Sequence, residues 1–259
     1  MAYEGFNIEG KVFLVTGGTS GIGRAIAIGL AQSGAKIVAG STNPDKVAAM
    51  KKELGKGHDA VTIDVGDERS VTSAFKSALK TFGRIDGVVN AAGVIKRQPS
   101  IEMSVEEFER VVRINLTGSF IVAQAAGRIM KDQPADARGI RGSIVFIASL
   151  NSYISLSEVL AYAASKSGVL GLVRGLANEW ASLGIRVNAI APGVFPTDLN
   201  RSLIEGTPRG DWLKKHTPLG RFGDAGELVG AAIYLLSPAA SYTTGETIVV
   251  DGGFLSRGV

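Results

Sequence analysis

The sequence predicts a doubly wound α/β fold, a parallel sheet of about seven strands flanked by helices, as a single domain over residues 1–259. Three observations predict it. Short β-branched runs alternate with longer amphipathic stretches, as strands buried on both faces and their crossover helices require. The first run leads directly into a glycine-rich turn that opens an amphipathic stretch. Glycine makes up 34 of 259 residues, about 13% where roughly 7% is ordinary, so many backbone positions turn tightly or lie against something.

The elements follow in order. Residues 11–16 (KVFLVT) form an apolar first strand, and 24–33 the helix after it. Residues 35–40 are a second strand, 45–54 a helix, 60–64 a third strand and 71–82 a helix. Residues 87–90 (GVVN) make a short fourth strand, followed by one or two helices over 105–130. A fifth strand over 142–149 precedes a long helix at 161–183, and 185–191 is the sixth strand. A helix at 225–236 and a last strand at 247–250 complete the pattern. In such a sheet a ligand binds beyond the carboxyl ends of the strands. Two stretches fit neither pattern. Residues 132–141 are polar and read as a surface excursion. Residues 192–218 mix Pro, Gly, Asn and Thr with Phe195, Leu199, Leu203, Ile204 and Trp212, which reads as a long loop with a helical turn or two that lids a substrate pocket.

Composition narrows the function. With no cysteine there are no disulfides and no thiolate metal sites, and His58 and His216 are too few for most metal centres. His58, in a Gly-Lys-Gly-His-Asp stretch, reads as a surface-loop residue, and His216 as an exposed loop residue. The first ten residues include Glu4 and Glu9 and lack an apolar signal core, so a cytoplasmic protein is expected. The longest uncharged run, 228–245, is broken by Ser237-Pro238 and reads as a buried helix and a turn, not a membrane span. A net charge of +4 is spread along the chain without a basic stripe, which argues against nucleic acid and suits a small anionic substrate.

Two motifs carry chemistry. Thr16-Gly17-Gly18-Thr19-Ser20-Gly21-Ile22-Gly23 joins the first strand to the first helix, where glycines permit close backbone approach and a helix N-terminus offers free N–H groups to a pyrophosphate. Tyr162 and Lys166 stand four apart on one helix face, so an ammonium sits near a phenol that can exchange a proton with an alcohol or carbonyl. Ser149, at the end of the fifth strand, can hydrogen-bond the reacting oxygen. Alone, a glycine-rich turn can be mere packing and a Tyr-x3-Lys pair is usually helix surface. The combination points to hydride transfer without a metal.

With TGGTSGIG at 16–23, Asp64-Val65, NAAG at 90–93, Asn115, Ser149, Tyr162-x3-Lys166 and PGVFPT at 192–197, the chain resembles the short-chain dehydrogenases/reductases over its whole length, a family with the Rossmann fold. The resemblance implies that Tyr162 is the general acid/base, that Ser149 orients the substrate oxygen, and that Lys166 lowers the tyrosine pKa and holds the nicotinamide ribose. Asn115 would organise a proton relay. The cofactor would be met by Gly17, Thr19, Ser20, Gly21, Ile22 and Gly23, by Asp64 and Val65 at the adenine, by Asn90, Ala91 and Gly93, and by Pro192, Gly193, Val194 and Thr197 at the nicotinamide. A homotetramer built through the long helix and the last strand is implied as well.

Cofactor choice rests on the end of the second strand, where an acid selects NAD(H) and an arginine NADP(H). Ser41 and Thr42 stand there, so neither signal is present, and Ser20 departs from the basic residue that NADP-preferring relatives often carry. The missing acid tips the reading from NAD(H) toward NADP(H). A narrower resemblance around residues 93–99, 212–223 and 251–254 is to the gluconate 5-dehydrogenase and 2-deoxy-3-ketogluconate (keto-deoxyuronate) dehydrogenase branch, which implies a sugar-acid substrate. Lys96 and Arg97 would bind its carboxylate, with Asn151, Ser149 and Tyr162 around it; as a plain loop, the two cations would simply be solvated or pair across a subunit interface. A 3-oxoacyl thioester reductase is the alternative enzyme, and a non-catalytic dinucleotide sensor the alternative of another class.

Overall fold

The computed structural model describes residues 3–198 and 200–257; Leu199, counted above among the apolar residues of the long loop, lies outside them. Seven strands form one parallel sheet: β1 (Val12–Thr16), β2 (Lys36–Ser41), β3 (Asp59–Thr62), β4 (Gly87–Asn90), β5 (Gly142–Ile147), β6 (Ile185–Pro192) and β7 (Thr247–Val250). Their order is β3-β2-β1-β4-β5-β6-β7, so the chain reverses its direction of winding between β1 and β4. Thr16 lies level with Gly40 on one side and Asn90 on the other. All three strands therefore end together, and a crevice opens above them.

The helices cover both faces. α1 (Gly21–Gln32), α2 (Pro44–Leu54) and α9 (Val229–Leu236) pack Ile26, Leu30, Met50 and Leu235 against Phe13, Val15 and Ile37. On the other face α3 (Glu68–Phe82), α5 (Gly118–Met130) and α6 (Leu160–Trp180) pack Phe75, Val122 and Val173 against Leu14, Val88 and Val187. β1, β4, β5 and β6 are buried along their whole length, which is why they read as predominantly apolar runs.

Differences from the expected boundaries have local causes. The span 105–130 is α4 (Val105–Val112), a π-turn at Arg113–Thr117, then α5. β3 ends at Thr62, and Asp64 instead accepts the Gly66 N–H at 2.9 Å in a turn. The excursion at 132–141 is closed by Asp136, whose carboxylate takes the N–H groups of Arg138 and Ile140. The long loop holds α7 (Arg201–Ile204) and α8 (Pro208–His216), and the latter starts on a Thr207 cap followed by proline. His58 is not a bare surface residue: its Nδ1 accepts the Ile37 N–H at 3.2 Å and ties the approach to β3 onto β2. His216 ends α8 with its ring stacked on Trp212, the centroids 3.9 Å apart.

Candidate active site

Two clefts meet at Tyr162. The first is lined by Gly17, Ser20, Gly21, Ile22 and Gly23 at one end and by Gly93, Ile147, Tyr162 and Lys166 at the other. Gly17 has φ +65°, and a Cβ there would lie 2.9 Å from the Ala92 nitrogen; a Cβ on Gly23 would collide with the Gly17 carbonyl. The turn is thus as close to its neighbours as backbone alone permits. Ser20 caps α1 without a side-chain capping bond and the first turn carries no acid, so the helix presents free N–H groups and a favourable dipole to an anion. This cradle fits the pyrophosphate of a dinucleotide.

Thr16 and Asn90 brace the cleft floor: the Thr16 hydroxyl donates to Asn90 Oδ1 and receives the Ala92 N–H, and Asn90 Nδ2 donates to Ser119 Oγ at 2.7 Å. Asn90 therefore supports the cleft and does not line it, whereas Ala91, Ala92, Gly93 and Thr197 do. Thr19 is half-buried within the turn and is not among the lining residues. Asp64 is exposed and Val65 is packed in the core, so neither lines this cleft. Ser41 is half-buried at the tip of β2 and its hydroxyl accepts the Asn43 N–H, while Thr42 is exposed. Lys46 on α2 does line the cleft. Nothing in the sequence marked it, because its approach depends on how α2 lies against the glycine turn.

The second cleft shares Tyr162 and runs under the loop. Ser149, Asn151, Gly193 and Val194 line it together with apolar Ile95, Leu156, Val159, Leu203, Ile204 and Leu213, and with Arg97 and Arg209. Pro192 is buried at the end of β6. Lys96 is not among the lining residues; it stands where its charge acts on Glu107. Arg97 is committed to Glu158 at 2.5 Å. Of the two cations read as a carboxylate receptor, Arg97 lines this cleft and Lys96 does not.

The junction places a phenol, a hydroxyl and an ammonium together. Burial pushes the Tyr162 phenol up, and a hydrogen bond with the buried Ser149 hydroxyl pulls the other way. Burial lowers Lys166 to about 8. Its Nζ donates to the Ile147 carbonyl at 2.6 Å and lies 5.7 Å from the Tyr162 ring centroid. The ammonium is thus fastened to the sheet, and the hydrogen bond with Ser149 opposes the upward shift of the phenol. Asn115, in the π-turn, receives the Val94 N–H on Oδ1 at 2.8 Å and gives Nδ2 to the Val94 carbonyl and the Ser165 hydroxyl. Ser165 in turn donates to the Tyr162 carbonyl at 2.7 Å, so Asn115 links the cleft wall to the helix that carries the phenol. Among the described residues no group of three or more His, Asp or Glu is placed to hold a metal ion, and no helix is long and apolar enough to cross a membrane.

A family model described as enoyl-(acyl carrier protein) reductase matches residues 17–255, and solved short-chain dehydrogenases superpose on nearly the whole chain. The chain is a short-chain dehydrogenase/reductase. Among its relatives, D-threitol dehydrogenase of Mycolicibacterium smegmatis is 42% identical over 96% of this chain and 94% of that protein. The 2-dehydro-3-deoxy-D-gluconate 5-dehydrogenase of Escherichia coli is 37% identical over 99% of this chain and all of its own. A gluconate 5-dehydrogenase from Burkholderia cenocepacia, solved with NADP and tartrate, superposes with a TM-score of 0.91 at 38% identity, covering 98% of this chain and 99% of that one. This short-chain dehydrogenase/reductase is accordingly an NAD(P)-dependent oxidoreductase that moves a hydride between the nicotinamide and a carbonyl or secondary alcohol.

Proposed function

We propose that the enzyme interconverts a hydroxyl and a ketone on a sugar acid of the keto-gluconate or keto-deoxyuronate class. The observation that carries this reading is the position of Tyr162 at the junction of a nucleotide-shaped cleft and an apolar-walled cleft that holds two arginines. Tyr162 gives its proton to the oxygen of the ketone, or takes it from the alcohol. Ser149 hydrogen-bonds the same oxygen, Asn151 flanks it, and Lys166 holds the nicotinamide ribose. Asn115 keeps the π-turn against α6, so that a proton relay can run past it. When bound, the nicotinamide nucleotide supplies or accepts the hydride. Residues 192–198 and 200–218, with α7 and α8, form a lid whose Ile204 and Leu213 exclude water from the reacting centre. The chain works as one domain in a cytoplasmic homotetramer.

NADP(H) is the preferred nucleotide, because the tip of β2 carries Ser41 in place of an acid and Lys46 adds a cation to the same cleft. Ser41→Asp should lower the ratio of kcat/KM for NADPH to that for NADH, by repelling a 2′-phosphate. An unchanged ratio would show that the ribose lies elsewhere.

A neutral polyol substrate is the second reading, favoured by the 42% identity to a D-threitol dehydrogenase. Steady-state assays of 5-keto-D-gluconate, a keto-deoxyuronate, D-threitol and a 3-oxoacyl thioester with both nucleotides decide between them. The sugar-acid reading requires the highest kcat/KM on one of the two keto acids.

A further inference from the structure

Arg97 draws attention in the sequence, yet the fold gives that cation a partner of its own. Its Nη2 meets Glu158 Oε2 at 2.5 Å, and the Gln98 N–H donates to the Glu158 carbonyl at 2.8 Å. The segment around Arg97 is therefore clamped to Glu158 by main chain and side chain together. Among the described residues Glu158 is the one non-glycine residue with positive φ, at +67°. A left-handed conformation costs a side-chain-bearing residue about 1–2 kcal/mol, so the surroundings hold Glu158 in place against local preference.

Arg209 is different. It lies in the first turn of α8, half-buried, in the cleft that also holds Ser149, Asn151 and Tyr162. Among the described residues it makes no ion pair and no hydrogen bond through its side chain. Burial and the repulsion of Arg97 destabilise its charge, and Glu158 supports it. A guanidinium still stays protonated, so the cleft contains a planar cation with no direct ion-pair partner among the described residues, beside apolar side chains. That is the chemistry of a carboxylate receptor: two parallel N–H groups matched to two oxygens beside apolar walls. The N-terminal end of α8 adds its dipole in the same sense.

We propose that Arg209 is the substrate-carboxylate receptor of this cleft, and that Arg97, neutralised by Glu158, is a positioning residue that fixes the cleft wall. Two arginines and one glutamate leave a single net positive charge. The preferred ligand is thus a monocarboxylate; Glu158 repels the second charge of a diacid or a phosphate ester. The inference rests on the sugar-acid reading above and adds which residue reads the acid and how many charges it accepts.

The test uses the full-length enzyme with NADPH and three substrates: 5-keto-D-gluconate, a neutral ketose of similar length, and the corresponding keto-diacid. For Arg209→Ala, the ratio of kcat/KM for the keto acid to that for the neutral ketose should fall tenfold to a hundredfold, carried by KM and not kcat. Quenching of Trp212 fluorescence by gluconate should weaken in parallel, and Arg209→Lys should recover part of both. Arg97→Ala should change the ratio by less than threefold, and Glu158→Gln should improve the diacid relative to the monoacid. If Arg97→Ala collapses the ratio while Arg209→Ala spares it, the inference falls and the sugar-acid reading stands. Equal losses of Arg209→Ala on acid and ketose would also overturn it, as a structural role. If wild type prefers the neutral ketose, the sugar-acid reading itself fails.

Discussion

At the scale of single residues the proposed chemistry depends on where one phenol loses its proton. Burial raises Tyr162, the Ser149 hydroxyl opposes that rise, and Lys166 is lowered to about 8 by its own burial. Protonated Tyr162 is the form that reduction needs, and its raised pKa keeps that form dominant at neutral pH. Reduction should therefore hold its rate across the neutral range and into mildly alkaline pH, and alcohol oxidation, which needs the deprotonated phenol, should climb through the alkaline range. An oxidation rate that falls as pH rises would contradict the assignment of Tyr162 as the base. Tyr162→Phe removes only the proton donor, so kcat should drop by roughly 10²–10⁴-fold with nucleotide affinity within a few-fold of wild type. Retention of more than about a tenth of kcat would remove Tyr162 from the chemistry. These residues were legible in the sequence because each motif is local: the glycine turn and the Tyr-x3-Lys pair fall within one turn or one helix. The partners of Arg97 and the approach of Lys46 and Arg209 were not, since each depends on an element from a distant part of the chain.

At the scale of elements two joints set the geometry. The π-turn between α4 and α5 has no signal in the sequence, where 105–130 reads as one or two helices; it is visible only as the place where Asn115 satisfies both backbone groups of Val94. Asn115→Leu would leave the half-buried Val94 N–H and C=O without their protein partner, at about 1 kcal/mol or more for each hydrogen bond lost. Urea unfolding should show a loss of at least about 2 kcal/mol, and a loss under about 0.5 kcal/mol would mean that the turn does not depend on this side chain. The second joint is His58. Its Nδ1 accepts the Ile37 N–H, which requires the neutral ring, and burial lowers its pKa from 6.5. A depressed pKa places the stabilisation above the unfolded-state value and removes it as pH falls below about 6.5 through the folded-state value. His58→Gln, which keeps an acceptor that does not titrate, should lose less stability than wild type between pH 7.5 and 5.5. Identical pH dependence in the two proteins would rule out His58 as a contributor.

At the scale of the whole molecule the sheet was readable in the sequence because β1, β4, β5 and β6 are buried on both faces and are therefore mostly apolar, with the few polar residues on them, such as Thr16, Asn90 and Asn188, held by hydrogen bonds. What the pattern of one chain does not display is which surfaces remain uncovered. β7 is an edge strand, paired only with β6, and Val249 is 41% exposed on it, with Tyr242 fully exposed nearby. α6 carries Gly171 and Gly175 on an exposed face, each with open space where a Cβ would stand. Glycine inside a helix costs about 1 kcal/mol relative to alanine, so two of them on one face suit the close approach of another backbone. A tetramer of D2 symmetry needs two different self-complementary contacts, and in the proposed homotetramer these would be the β7 edge and the α6 face. Each contact should then fail separately. Val249→Arg, which puts a charge on the strand edge, should leave a species of two chain masses in light scattering, and so should Gly175→Leu, which fills the helix face while raising helix propensity. The double variant should run as single chains of 26.9 kDa with the sheet intact by circular dichroism. A double variant that remains a tetramer would place the interfaces on other surfaces, and a wild type that is already monomeric would remove the assembly altogether.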